Sequence, residues 1–375
     1  MPRPARVVHL IENLAMGGGI ESVIWEFLRG MDPKRFQQFP WFLYQAGQSY
    51  ERMREFTPET RFLNLPTYHR LGPLIKLAGE LKEAKVDLIH LHGYFSGTFG
   101  RLVAPWIGLP WVYSLYSHYE DTYHWNNYFM ERWLAKSRGM VVACSEVVRE
   151  FAVKRCAIPP EKVVVNYEGI TIADESAWPA VEQARKAFGL PTDAFVVGTV
   201  TRLYPAKNTD LLIRAAKGLP DSFHILIAGE GPELSALQQL ANQLGLSGRV
   251  HFAGLVKNVA LALQAMDLFV QTSKIREGFS IALIEAMAFG KPCAVTTIGG
   301  NVEAVPQDVG WWISPEDPSE LHRVLVHAST HRGEIELKGQ AARDRYLTHF
   351  TGRHMVRGME SIYERALGSV KSSKA

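Results

Sequence analysis

The segment Glu277-Gly278-Phe279-Ser280-Ile281-Ala282-Leu283-Ile284-Glu285 sets two carboxylates eight positions apart, with glycine, an aromatic, serine and apolar residues between them. It follows the apolar run Leu268-Phe269-Val270 and leads into Ala286-Met287-Ala288, which reads as helix. A strand, a short glycine-bearing loop and a helix start in that order form an anion cradle, because the free N–H groups and the helix dipole both favour negative charge there. One glutamate falls in the loop and the other about a turn into the helix, so both can line one polyol-and-phosphate pocket. The chemistry this points to is recognition of a sugar nucleotide. Glu285 suits a bidentate grip on two vicinal ribose hydroxyls. Glu277 suits the transferred sugar, and the N–H groups of Phe279, Ser280, Ile281 and Ala282 suit phosphate oxygens. The bland alternative is a helix-capping carboxylate followed by an ordinary surface one.

Arg202 and Lys207 weigh against that alternative. They stand in the loop Thr201-Arg202-Leu203-Tyr204-Pro205-Ala206-Lys207, after the apolar strand Val196–Val200. A departing diphosphate develops charge, and two cations at a strand's carboxyl end can neutralise it. No Asp-x-Asp pair occurs in the chain, so the usual ligands of a metal-bridged diphosphate are missing and no metal is expected. Near the other end, Met16-Gly17-Gly18-Gly19-Ile20 follows a strand and precedes a helix. Gly18 and Gly19 there would let the backbone approach a ligand, or simply make a tight turn. The spacing is not that of a dinucleotide fingerprint. His118, just beyond the strand Trp111–Leu115, is the candidate to contact the donor sugar or stabilise a transient charge. His90, His92 and His124 compete with it, and His90 and His92 are expected to face opposite ways on their strand end. No zinc-type spacing and no nucleophile elbow is present. Trp125, Tyr128, Phe129, Arg132, Trp133 and Lys136 recur at helical spacing. Core packing with solvated cations is the expectation for them, with an acceptor or membrane-surface contact as the alternative.

The elements that must hold these residues alternate regularly. Apolar runs at Val7–Ile11, Trp41–Tyr44, Leu88–Leu91, Trp111–Leu115, Met140–Ala143 and Val163–Asn166 are separated by helical stretches. A second series comprises Phe195–Val200, His224–Ala228, Val250–Ala253, Leu268–Gln271 and Cys293–Thr296. Near-continuous apolar strands between helices indicate parallel sheets covered on both faces, with ligands at the carboxyl ends of the strands. The stretch Tyr167–Pro191 breaks the pattern and reads as a linker plus a short helix. The expected architecture is therefore α/β with two Rossmann-like halves facing a cleft. They would span residues 1–170 and 171–351, with the amphipathic helix after 352 packing back on the first half. A length of 375 residues fits two domains better than one.

Composition narrows the partners. Lys plus Arg exceed Asp plus Glu by 41 to 38, which is too balanced to argue for nucleic acid. The three cysteines form no CxxC pair, consistent with a cytoplasmic protein. The longest run without Asp, Glu, Lys or Arg, residues 102–119, contains Pro105, Pro110 and His118 and is a poor transmembrane candidate, which leaves peripheral attachment open.

These residues together resemble the retaining GT-B glycosyltransferases of family 4, the glycosyl transferases group 1. The resemblance runs over nearly the whole chain. It rests on Gly17–Gly19, Val86-Asp87-Leu88-Ile89-His90-Leu91-His92, Val142–Glu146, Gly198…Arg202…Lys207, Ala228-Gly229-Glu230-Gly231-Pro232, Val250–Gly254, Glu277…Glu285 and Gly290-Lys291-Pro292…Gly299-Gly300…Glu303. By resemblance, Glu285 holds the ribose, Glu277 the donor-sugar hydroxyls, and Arg202 with Lys207 the diphosphate leaving group. The donor would be a nucleotide-diphospho-sugar, UDP-sugar ahead of GDP-sugar, bound as substrate in the second half with no cofactor. A glycan or lipid-linked acceptor would dock mainly on the first half. The chain departs from the family at Ser114-Leu115-Tyr116, where many members carry Thr-x-His, and at Tyr167-Glu168-Gly169, where Asn-Gly is frequent. Other functions compatible with this fold are a sugar-nucleotide 2-epimerase and a silent nucleotide-sugar-binding subunit.

Overall fold

The computed structural model describes residues 3–12, 18–45, 47–120, 123–275 and 277–371, the side chains of 369–371 excepted. The chain divides into two compact units, one of residues 1–170 with 352–375 and the other of residues 171–351. Each is built on a parallel sheet.

The first sheet contains β1 (Ala5–Ile11), β2 (Phe36–Phe42), β3 (Arg61–Phe62), β4 (Leu88–His92), β5 (Trp111–Leu115), β6 (Gly139–Ala143) and β7 (Val163–Val165) in the order β3-β2-β1-β4-β5-β6-β7. β4 and β5 are buried along their whole length, and β1 over its last five residues, so side chains on both faces are covered and the sequence runs apolar instead of alternating. The helix Gly352–Lys371 belongs to this unit and buries Met355, Val356, Met359, Ile362, Tyr363 and Ala366.

β2 begins five residues earlier than the sequence suggests, at Phe36, and runs through Pro40. Proline lacks the ladder N–H. The neighbouring β3 pairs only with Trp41 and Phe42, so the ladder on that side does not reach Pro40. β3 itself is two residues long and has no sequence signal of its own.

In the second unit β8 (Phe195–Val200), β9 (Phe223–Ala228), β10 (Val250–Gly254), β11 (Leu268–Gln271), β12 (Cys293–Thr296) and β13 (Gly310–Ile313) take the order β10-β9-β8-β11-β12-β13. Phe195, Val197, Ile225, Ile227, Leu268 and Val270 of its central strands pack with Leu211, Leu212, Leu321 and Leu325 of the covering helices. β13 is an edge strand that sequence reading missed. It pairs along β12 from Cys293↔Gly310 to Thr296↔Ile313, and its short, tryptophan-rich run gives no strand alternation to find.

One expectation is inverted in the first unit. The stripe on the helix Trp125–Leu134 is not core: Trp125 is 82%, Phe129 62% and Trp133 49% exposed. The inward face carries Glu131 instead, whose carboxylate is bidentate with Arg101 at 2.8 and 3.0 Å. Once that charge was paired inside, the aromatic side had to turn out.

Candidate functional site

β8 and β11 are the neighbours at which the strand order of the second sheet reverses. Such a switch point opens a crevice beyond the carboxyl ends of the strands, because the connections diverge to either side. The loop after β8 is anchored by the buried Leu203, whose N–H donates to Glu230 O at 2.8 Å. Gly229 sits at φ +145, and a Cβ there would stand 1.8 Å from Thr201 O, so only glycine lets the loop after β9 press on the loop after β8. Two bonds join the loop after β8 to the loop after β11: Thr272 Oγ1 donates to Lys207 O at 2.8 Å, and Lys274 N to Ala206 O at 3.0 Å.

The result is a direct meeting of two predicted site residues. Lys207 Nζ lies 2.6 Å from Glu277 Oε2, across 70 residues of sequence. The same oxygen accepts from Ser273 Oγ at 2.5 Å and Gln271 Nε2 at 3.1 Å. Glu277 is only 6% exposed, so it is not an ordinary surface carboxylate. Its Oε1 has no protein partner among the described residues. The charged lysine fixes one oxygen and leaves the other to accept a ligand hydroxyl.

The helix Ile281–Ala288 starts immediately beyond. Its cap is Ser280, whose Oγ accepts from Leu283 N at 3.3 Å, so neither glutamate serves as the cap. The N–H groups of Ile281 and Ala282 have no acceptor among the described residues. Phe279 is buried and packs edge-on against Phe350 at 5.3 Å, which pins the loop to the unit's interior. Glu285 is half-buried, and its carboxylate has no hydrogen-bond partner among the described residues. Burial pushes its pKa up to about 7. A desolvated, unpaired carboxylate one turn into a helix is poised to accept hydrogen bonds from outside. Arg202 is exposed, with its guanidinium 5.6 Å from the Tyr204 ring centre and no ion pair among the described residues.

Three other predicted residues belong to the first unit. Gly18 is the N-cap of the helix Gly19–Gly30 that follows β1, and Gly19 is its first residue; Gly17 lies outside the described residues. His118 is half-buried in the loop after β5, and its ring has no partner among the described residues.

His90 and His92 overturn an expectation. Residues two apart in a strand share a face. Their ring centres are accordingly 4.1 Å apart, and His9, which pairs with His90 in the register of β1 and β4, completes a buried trio. His9 Nδ1 meets His92 Nε2 at 2.9 Å, and His9 Nε2 meets Gln38 Oε1 at 2.5 Å. His90 is bonded to Tyr363 Oη and Ser114 Oγ at 2.6 and 2.8 Å, and His92 Nδ1 to Tyr116 Oη at 2.6 Å. Burial lowers all three pKa values, that of His9 to about 4. By residue type the trio could ligate a metal, but every ring nitrogen already has a protein partner. It reads as a closed hydrogen-bond network under the sheet's carboxyl edge. The period of two would have revealed the His90–His92 half of it; His9 needed the strand order.

The Glycosyltransferase Family 4 model matches residues 17–174, and the Glycosyl transferases group 1 model matches residues 180–338. The chain belongs to the family 4 glycosyltransferases of the GT-B fold. It is 28% identical to the Escherichia coli UDP-Gal:alpha-D-GlcNAc-diphosphoundecaprenol alpha-1,3-galactosyltransferase, over 74% of this chain and 76% of that protein. It is 26% identical to the D-inositol 3-phosphate glycosyltransferase of Mycolicibacterium smegmatis, over 76% and 69%. Among solved structures, Anabaena Alr3699/HepE in complex with UDP superposes with a TM-score of 0.84 at 21% identity, covering 96% of this chain and all of that one, which shows the shared GT-B fold. The family 4 match assigns sugar transfer as the reaction class.

Proposed function

We propose that this glycosyltransferase takes its sugar from a nucleotide-diphospho-sugar, UDP-sugar ahead of GDP-sugar. It passes the sugar to a glycan or lipid-linked acceptor with retention of anomeric configuration and without a metal, in the making of a cell-surface polysaccharide or glycolipid. The observation that carries the donor reading is the arrangement at the β8/β11 switch point: Lys207 on Glu277, next to Glu285 at a helix start, whose carboxylate has no partner among the described residues. In this reading Glu285 accepts from the ribose hydroxyls, and the N–H groups of Ile281 and Ala282 hold phosphate oxygens. Glu277 Oε1 accepts from a donor-sugar hydroxyl, and Lys207 with Arg202 neutralises the diphosphate as it leaves. In the first unit, His118 contacts the transferred sugar and Gly18 and Gly19 admit the ligand close to the backbone. The acceptor hydroxyl bonds to the anomeric carbon as the bond to the diphosphate oxygen breaks, and its proton goes to the departing diphosphate. The name of the Escherichia coli relative, with UDP-Gal as donor and a diphosphoundecaprenol-linked acceptor, supports a uridine donor and a lipid-linked acceptor.

The test is a thermal-shift screen of nucleotide sugars, followed by slow hydrolysis of the best donor. Lys207→Ala is expected to lower turnover by about 10²–10³-fold, the usual cost of one preorganised electrostatic contact. Glu285→Ala is expected to weaken donor binding. Either variant working at the wild-type rate, in a folded protein, removes the role given to that residue. Conversion of the donor to its epimer instead would replace the transfer reading.

A further inference from the structure

We propose that the outward face of the helix Trp125–Leu134 is a docking surface for an anionic lipid bilayer. The helix is amphipathic the wrong way round for a protein in water. Its inward face carries a carboxylate, Glu131, 2% exposed and paired with Arg101, and Leu134 is the other buried residue. Its outward face carries Trp125, Phe129 and Trp133 at 82, 62 and 49% exposure. Steps of four residues advance about 40° round a helix, so these three rings form one stripe. Beside them stand the exposed cations Arg132 and Lys136. The neighbouring helix Tyr94–Ile107, joined through Arg101 and through Asn127 Nδ2 donating to Tyr94 Oη at 2.7 Å, adds Trp106 at 54% exposure.

Charge decides the occupant. In residues 94–107 and 125–138 the single carboxylate is Glu131, and it is buried on Arg101, so the exposed charge of both helices is positive. Aromatic rings flanked by lysine and arginine match the boundary between headgroups and acyl chains, and each basic side chain is attracted to an anionic leaflet. A second copy of this chain fits less well, because a two-fold contact would set Arg132 and Lys136 against their own equivalents. No helix among the described residues is long and apolar enough to cross a membrane, so these helices offer attachment only in the plane of the surface. Nothing in the proposal depends on the donor site.

The experiment is flotation of the full chain with vesicles of phosphatidylcholine containing about one-third phosphatidylglycerol, and with phosphatidylcholine alone. The chain is expected to float with the anionic vesicles and to be released by high salt, since surface charges are screened. Replacing the stripe by Trp125→Ser, Phe129→Ser and Trp133→Ser together should lower partitioning about tenfold or more. Arg132→Gln with Lys136→Gln should remove the preference for anionic lipid while leaving the thermal midpoint and donor hydrolysis in solution unchanged. The proposal is overturned if the wild-type chain stays unbound, or if the triple serine variant floats equally well. It is also overturned if equilibrium sedimentation shows a dimer that the serine variant abolishes, which would make this face a contact between copies.

Discussion

Two glutamates eight residues apart do opposite things with their charge. Glu277 is buried, but three donors converge on one of its oxygens, one of them the Lys207 ammonium. Glu285 has no such partner among the described residues, and its pKa rises from 4.5 to about 7 because desolvation disfavours the anion. The folded protein therefore holds a proton that the unfolded chain has already shed, and stability declines as pH climbs from about 4.5 through about 7. Glu285→Gln should remove this decline. We expect the variant to match the wild type near the lower end of that window and, allowing for solvent screening, to exceed it by about 1–2 kcal/mol above the upper end. Urea titrations across pH measure this, and identical curves for the two proteins would refute it. Donor affinity should run the other way. In the proposed role the ionised carboxylate accepts from ribose hydroxyls, so wild-type binding is expected to strengthen as pH rises through about 7, and the variant to lose both affinity and that slope. The spacing of the pair was legible in the sequence; their unequal protonation was not, because it depends on which polar groups surround each one.

At the scale of elements, the site is a set of loops held in contact by glycines. Gly299, at φ +57, rests on the Glu277 carbonyl so closely that a Cβ would come within 1.7 Å of its oxygen, while Gly300 N donates to the same oxygen at 3.1 Å. The loop after β12 thus supports the backbone that aims Glu277. Gly299→Ala should cost about 1–3 kcal/mol of stability and lower donor turnover about tenfold, by displacing Glu277 from Lys207. Denaturation and single-turnover hydrolysis measure the two effects, and full activity would show that the loop after β12 does not position the carboxylate. The apolar runs made most strands readable, since burial on both faces leaves a plain sequence signal. β3 and β13 escaped because short edge strands lack that signal. Aromatic residues at helical spacing usually face inward; in the helix Trp125–Leu134, Glu131 paired with Arg101 reverses this.

For the molecule as a whole, chain order and compact units differ. The helix Gly352–Lys371 follows the second unit in sequence and belongs to the first, where Tyr363 Oη is bonded to His90 and Met355 and Met359 are buried. Deleting residues 352–375 removes six buried side chains, each large one worth about 2–5 kcal/mol, a loss comparable to the ~5–15 kcal/mol that typically stabilises a whole domain. The first unit should lose its cooperative transition while the second keeps its own; hydrogen exchange resolved by peptide reports this, and native protection in β4 and β5 of the truncated chain would contradict it. The succession of strands and helices and the paired-glutamate segment are legible in the chain alone, because apolar runs, glycines and a fixed carboxylate spacing are local properties. That Lys207 reaches Glu277, that three histidines meet and that an aromatic stripe looks outward follow only from the folded arrangement. Each of these depends on which strands and helices become neighbours, and neighbours are chosen by packing between segments far apart in the chain.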